Sequence, residues 1–124
     1  MFMKKISIIL AAFLAFSFTA CNSDNTPEKV VSNFYKYSQE GNLEEAMKYS
    51  NIPENEQPII IQYIENMGMV IHNYEVLGST IDDGDTTATV NLHLEASNAF
   101  NPDTLKSDID VVCLKINGDW KMKF

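Results

Sequence analysis

Near Asn73 the hydrophobic period of this chain changes. Upstream, apolar side chains recur at helical spacing; downstream they alternate residue by residue, as in strands with one buried face. Helices therefore come first and an antiparallel sheet second, and the sheet must cover its apolar face with the helices that precede it.

The upstream half reads as three helices. In the first, Val30, Val31, Phe34, Tyr35 and Tyr37 or Ser38 share one face, while Glu28, Lys29, Ser32, Asn33, Lys36 and Gln39 fall elsewhere. Thr26 is suited to accept a hydrogen bond from a free backbone N–H, Pro27 fits the first helical position, Glu28 complements the positive end of the dipole, and Gly41 supplies the stop. Asn42 caps a second, shorter helix, with Glu45 placed as in a capping box and Ala46, Met47 and Tyr49 as its apolar side. After a loop over Ile52 to Gln57, Pro58 opens a third, in which Ile60, Ile61, Ile64, Met67 and Ile71 approximate a stripe and Gly68 weakens or ends the helix. Ile59-Ile60-Ile61 also suits the start of a strand, since β-branched runs favour pleated backbone; the proline and the later spacing select the helix.

The downstream half reads as a four-strand meander. Tyr74 to Ile81 is the first strand, and Asp82-Asp83-Gly84-Asp85 the turn after it, with an Asp-Gly pair suited to positive backbone angles. Ala88, Val90, Leu92, Leu94 and Ala96 then alternate with Thr87, Thr89, Asn91, His93 and Glu95, the clearest strand in the chain. A polar connection from Ser97 to Lys106 precedes a strand over Ser107 to Ile116; Asn117-Gly118 marks a second hairpin, and Trp120, Met122 and Phe124 form the apolar side of the last strand. The fold class is α+β, three N-terminal helices packed on a curved four-strand antiparallel sheet.

The first twenty residues read as a targeting segment: Lys4 and Lys5, an apolar run from Ile6 to Phe18, then small Thr19 and Ala20 before Cys21. The apolar run is short for a bilayer-crossing helix, which needs about 20 residues. Phe18-Thr19-Ala20-Cys21 resembles the lipobox of bacterial lipoproteins, in which the cysteine is acylated and becomes the new amino terminus; Phe18 stands where an aliphatic residue is usual. That resemblance implies a signal peptide over 1–20, a lipid-anchored tether over 21–25 and one domain over 26–124, held to a membrane of the cell envelope, the outer membrane in a Gram-negative cell.

Cleavage before Cys21 leaves 104 of the 124 residues, enough for one domain. It also removes two of nine lysines and none of seventeen acids, so the mature charge is 7 minus 17, or minus 10. The chain has no arginine, and an acidic module without that planar fork is a poor partner for nucleic acid. With Cys21 acylated, Cys113 has no partner for a disulfide; in the apolar run Ile109 to Ile116 it reads as a small buried hydrophobe.

The tether, Thr26-Pro27-Glu28-Lys29-Val30-Val31 with Phe34 and Tyr35 behind it, the Gly41-Asn42-Leu43-Glu44-Glu45-Ala46 turn and the closing Asn117-Gly118-Asp119-Trp120-Lys121 together resemble small bacterial lipoproteins of the nuclear transport factor 2-like (cystatin-like) superfamily, over nearly the whole mature chain. The resemblance implies a cone: a curved antiparallel sheet wrapped about a long N-terminal helix, often with a pocket between them. Members include enzymes of the ketosteroid isomerase kind and non-catalytic, ligand-binding, dimerising or structural domains, so fold alone does not decide the function.

An isomerase of that kind needs a carboxylate base in an apolar pocket and a hydrogen-bond donor opposite it. Asp110 is the candidate base and Tyr35, Tyr37 or His93 the candidate donors; the plainer reading is that Asp108 and Asp110 solvate the entrance of a strand, and that His93, alternating with buried positions, faces solvent. His72 and His93 lack a ligand pattern around them, and the acidic turn lacks the rest of a calcium loop, so no metal or other cofactor is expected. The candidate pocket set is Phe34, Tyr35, Tyr37, His93, Asp110, Trp120 and Met122, whose apolar members either fill the core or line a cavity. Phe100, in its polar loop, is a separate candidate partner contact. The functional expectation is a membrane-anchored, non-enzymatic module that binds a small apolar ligand or an envelope protein, a homodimer being compatible with it; the alternative is a ketosteroid isomerase-like enzyme with Asp110 as base.

Overall fold

In the computed structural model, which describes residues 25–124, the first helix begins at a side-chain cap. Thr26 Oγ1 accepts from the Lys29 N–H at 3.2 Å, Pro27 occupies the first turn, and α1 (Pro27–Gln39) buries Pro27, Val30, Val31 and Phe34 on one side. Gly41, with φ +81°, turns the chain into α2 (Leu43–Met47). Asn42 Oδ1 caps α2 by accepting from the Glu45 N–H at 3.3 Å, but the Glu45 carboxylate meets Lys48 Nζ at 3.0 Å instead of closing a capping box. A short 3-10 turn over Glu54–Glu56 leads into α3 (Gln57–Met67), which stops at Gly68 in the left-handed conformation, φ +61°.

The strands β1 (Val70–Ile81), β2 (Thr87–Ser97), β3 (Leu105–Ile116) and β4 (Asp119–Met122) form one antiparallel sheet in the order β1-β2-β3-β4. The first strand begins at Val70, ahead of the expected Tyr74, and takes in Ile71, which the sequence pattern had placed on the third helix. The cause is a bulge: Ile71 pairs with Ala96 and Tyr74 with Leu94, with a register shift between Ile71 and Asn73, so two residues three apart both face the core and imitate a helical stripe. A second shift between Val76 and Gly78 leaves Leu77 outside. The amide of Gln39, at the end of α1, donates to the carbonyls of Ile71 and His72 at 3.3 and 3.2 Å, satisfying backbone that the first bulge disturbs.

Both hairpin turns lie where the sequence puts them. Asn117 and Gly118 take positive φ, 53° and 87°, as a tight hairpin requires. In the β1–β2 turn the left-handed residue is Asp85, φ 56°, and not the glycine before it; Asp82 Oδ1 accepts from the N–H groups of both Thr86 and Thr87 at 3.2 Å, an Asx-type arrangement that sets the turn.

The helix α1 lies on the inner face of the curled sheet. Val30, Val31 and Phe34 pack with Ala46 and Met47 of α2 and with Ala88, Val90 and Leu92 of β2, Val111 and Cys113 of β3, and Trp120 and Met122 of β4. Glu28 accepts from the Ser79 hydroxyl at 2.6 Å, tying the start of α1 to β1. Asn25 grips the last strand: its Oδ1 accepts from the Trp120 N–H at 2.6 Å and its Nδ2 donates to the Trp120 carbonyl at 3.5 Å.

Candidate functional site

Among the described residues helix α3 is the one α-helix that buries none of its side chains fully, although isoleucine appears four times along it. It is held at its ends. Gln57 Nε2 donates to the Ile52 carbonyl at 3.0 Å and the Met47 carbonyl at 3.4 Å, and at the other end the Met67 carbonyl accepts from the Ala99 N–H at 2.9 Å. Between those ties Ile60, Ile61 and Ile64 reach the edge of the core, and a cavity of about 690 Å³ is left between the helix, α1 and the sheet. Ile60, Ile64 and Met67 of α3 face Phe34, Tyr35 and Ser38 of α1, Ile71 of β1 and Leu94 of β2 across it, with Phe124 at one side.

The walls are mostly apolar, and Glu65 is the one charged residue among them. Aromatic rings stiffen the α1 side: Phe34 meets Tyr35 edge-on at 5.2 Å and Phe124 edge-on at 5.4 Å, and Tyr35 lies 6.4 Å from Tyr74. Three hydroxyl-bearing side chains, Tyr35, Ser38 and the exposed Tyr63, break the apolar lining. Ser38 Oγ is buried with no hydrogen-bond partner among the described residues, and burial holds the Tyr35 phenol above its usual pKa of 10.0.

Of the expected pocket residues, Phe34 and Tyr35 line this cavity. Tyr37 does not; it stacks on Tyr49 with ring centres 6.0 Å apart and planes 12° from parallel. Trp120 and Met122 are core residues, 5% and 4% exposed, and Lys115 Nζ lies 5.4 Å from the indole. His93 and Asp110 are on the other face of the sheet. Val90 and Leu92 point into the core, so Asn91 and His93 between them point out, and their β3 partners Asp110 and Asp108 point out beside them.

On that outer face Asp110 accepts from the Asn91 amide at 2.6 Å, and His93 lies between two carboxylates, Nδ1 at 2.6 Å from Asp108 and Nε2 at 2.9 Å from Glu95. The hydrogen bond to Asp108 first, and that to Glu95 second, raise the His93 pKa above the ordinary 6.5. Asp110 also borders a shallow cleft of about 410 Å³ with Tyr35 and Met122, along the part of β3 beyond the end of β4. Its residue is exposed, however, and it lacks the apolar surroundings that an isomerase base draws on. Among the described residues no group of three or more His, Cys, Asp or Glu is arranged to hold a metal ion, and both His93 nitrogens are already taken by carboxylates.

The cavity residues that sequence reasoning did not select include Ser38, Ile60, Ile64, Met67 and Leu94. Their apolar stripes were visible, but a stripe reads the same whether its neighbour touches it or stands off. Ser38, a hydroxyl on the buried side of α1, was the available signal. Cys21 lies outside the described residues, and no described helix is long and apolar enough to cross a membrane.

No family model matches the chain, and no curated protein does. Solved structures do match. A Campylobacter jejuni protein described as an NTF2-like transpeptidase is 16% identical, with a TM-score of 0.53 over 80% of this chain and 98% of that one. A Mesorhizobium loti protein described as a SnoaL-like polyketide cyclase is 12% identical, with a TM-score of 0.51 over 80% of this chain and 97% of that one. At such identities the likeness speaks for architecture alone, and the helix clasped by a curled four-strand meander is that architecture. The chain has the nuclear transport factor 2-like fold.

Proposed function

We propose that this chain is a membrane-tethered binding domain of the cell envelope, which holds a small apolar molecule in the cavity between α1, α3 and the sheet. The observation that carries the proposal is the cavity itself: about 690 Å³ of mostly apolar space in a domain of this size, roofed by a helix that meets the core only through half-buried side chains. Binding without turnover is favoured by the lining, whose one carboxylate is Glu65, and by the distance of His93 and Asp110 from it on the opposite face of the sheet. The tether rests on the order of Lys4, Lys5, the apolar run and Cys21.

An uncharged fluorescent reporter such as N-phenyl-1-naphthylamine should bind saturably, one molecule per chain. Ile64→Arg should abolish that binding while leaving the circular dichroism spectrum and a cooperative unfolding transition in place, because Ile64 is only half-buried at the edge of the core and α3 buries no residue fully. Reporter uptake that never saturates, or that Ile64→Arg leaves unchanged, overturns the binding reading. Metabolic incorporation of labelled palmitate, lost in Cys21→Ala, tests the tether separately.

A further inference from the structure

On its α1 side the cavity offers a guest two hydroxyls, and nowhere on its lining a positive charge. Ser38 and Tyr35 lie one turn apart on the cavity side of α1, and no lysine or histidine is among the lining residues. A buried hydroxyl without a partner costs stability, and an orphan of this kind in a native interior calls for an explanation. Ser38 Oγ is in that state, the one such side-chain atom among the described residues, and Tyr35, whose phenol burial holds above its usual pKa, borders the same space. Rotation about the Ser38 Cα–Cβ bond between staggered positions swings Oγ towards the cavity, which the residue already borders.

Charge narrows the guest further. An anionic head group would enter an acidic molecule, meet Glu65 at the wall, and find no cation to pair with. A cationic head group would find one carboxylate but would have to leave water beside an otherwise mostly apolar lining. A hydrocarbon would leave Ser38 Oγ unsatisfied.

Building on the cavity-binding reading above, we infer that the natural guest is an uncharged amphiphile: an apolar chain or ring system bearing one hydroxyl or carbonyl oxygen, which hydrogen-bonds to Ser38 with Tyr35 as second partner. The apolar body lies against Ile60, Ile64 and Leu94, and the oxygen against α1.

Competition against bound N-phenyl-1-naphthylamine on the full chain tests this, with 1-decanol, decanoate and decane as competitors at neutral pH. The reporter carries no oxygen, so its own binding reads the cavity and not the hydroxyls. The expected result is that decanol displaces it at least tenfold more effectively than decanoate and more effectively than decane. Ser38→Ala should lower the decanol affinity by about threefold to tenfold, the loss of one hydrogen bond, without changing reporter affinity, and Ser38→Thr should restore it. If the reporter binds but decanoate competes as well as decanol, or Ser38→Ala leaves decanol unchanged, the amphiphile inference is overturned and the cavity reading stands. If the reporter does not bind, both fall.

Discussion

His93 and Cys113 show how strongly one residue's setting decides its chemistry. His93 has a raised pKa because its protonated ring donates to Asp108 and Glu95, and Glu95 is in turn held below the ordinary carboxylate value of 4.5, chiefly by His93. The protonated ring therefore adds stability that is complete below 6.5 and is lost as pH rises through the raised value; the Glu95 share is complete above 4.5 and is lost as pH falls through the lowered one. The ring titrated by NMR should show a midpoint above 6.5, and His93→Gln should flatten the decline of the denaturation midpoint across the neutral range. The effect should shrink with added salt, since the Asp108 side chain is 68% exposed. Cys113 is the opposite case: fully buried, facing the Pro27 carbonyl, with burial pushing its thiol up to about 11. It should resist alkylation at mildly alkaline pH in the native protein and react at the rate of global unfolding once denaturant is added.

Among the elements, the turns and the ends of helices are where sequence and structure correspond most closely. Gly68 is the sharpest example, because it takes a left-handed conformation and a Cβ there would lie 3.0 Å from that of Ala99. Gly68→Ala should therefore cost about 1–2 kcal/mol from backbone strain, with crowding against Ala99 in addition, read as a lowered denaturation midpoint. By contrast Gly118, with open space around it, should show the strain alone. The caps at Thr26 and Asn42, the stop at Gly41 and the alternation from Ala88 to Ala96 were legible because each is decided by a local hydrogen bond or by the two-residue repeat of a strand. The start of β1 was not, since its bulges break that repeat and the carbonyls they disturb are satisfied from Gln39, thirty-two residues away. His93 and Asp110 were placed on the right strands; the face they occupy follows from the register with their neighbours, and the sequence had allowed either solvent or pocket.

The molecule as a whole divides into a tightly packed half and a loosely covered one. The sheet, α1 and α2 share one core, while α3 is attached at its two ends over a cavity. Local opening should follow that division: amide hydrogen exchange along Gln57–Met67 should be much faster than in α1 or across β2 and β3, and a bound guest should slow it. That division, and with it the cavity, is a property of distances between elements, which no stripe or cap encodes. The grip of Asn25 on Trp120 has a vectorial consequence. It fixes the point of entry at the hairpin end of β4, whereas the cavity lies beyond the other end of that strand, between Phe124, Leu94 and Ile71. Only four peptide steps separate Cys21 from Asn25, roughly 14 Å at full stretch. Any group carried on Cys21 would thus be joined to the domain at the β3–β4 hairpin end and not at the cavity.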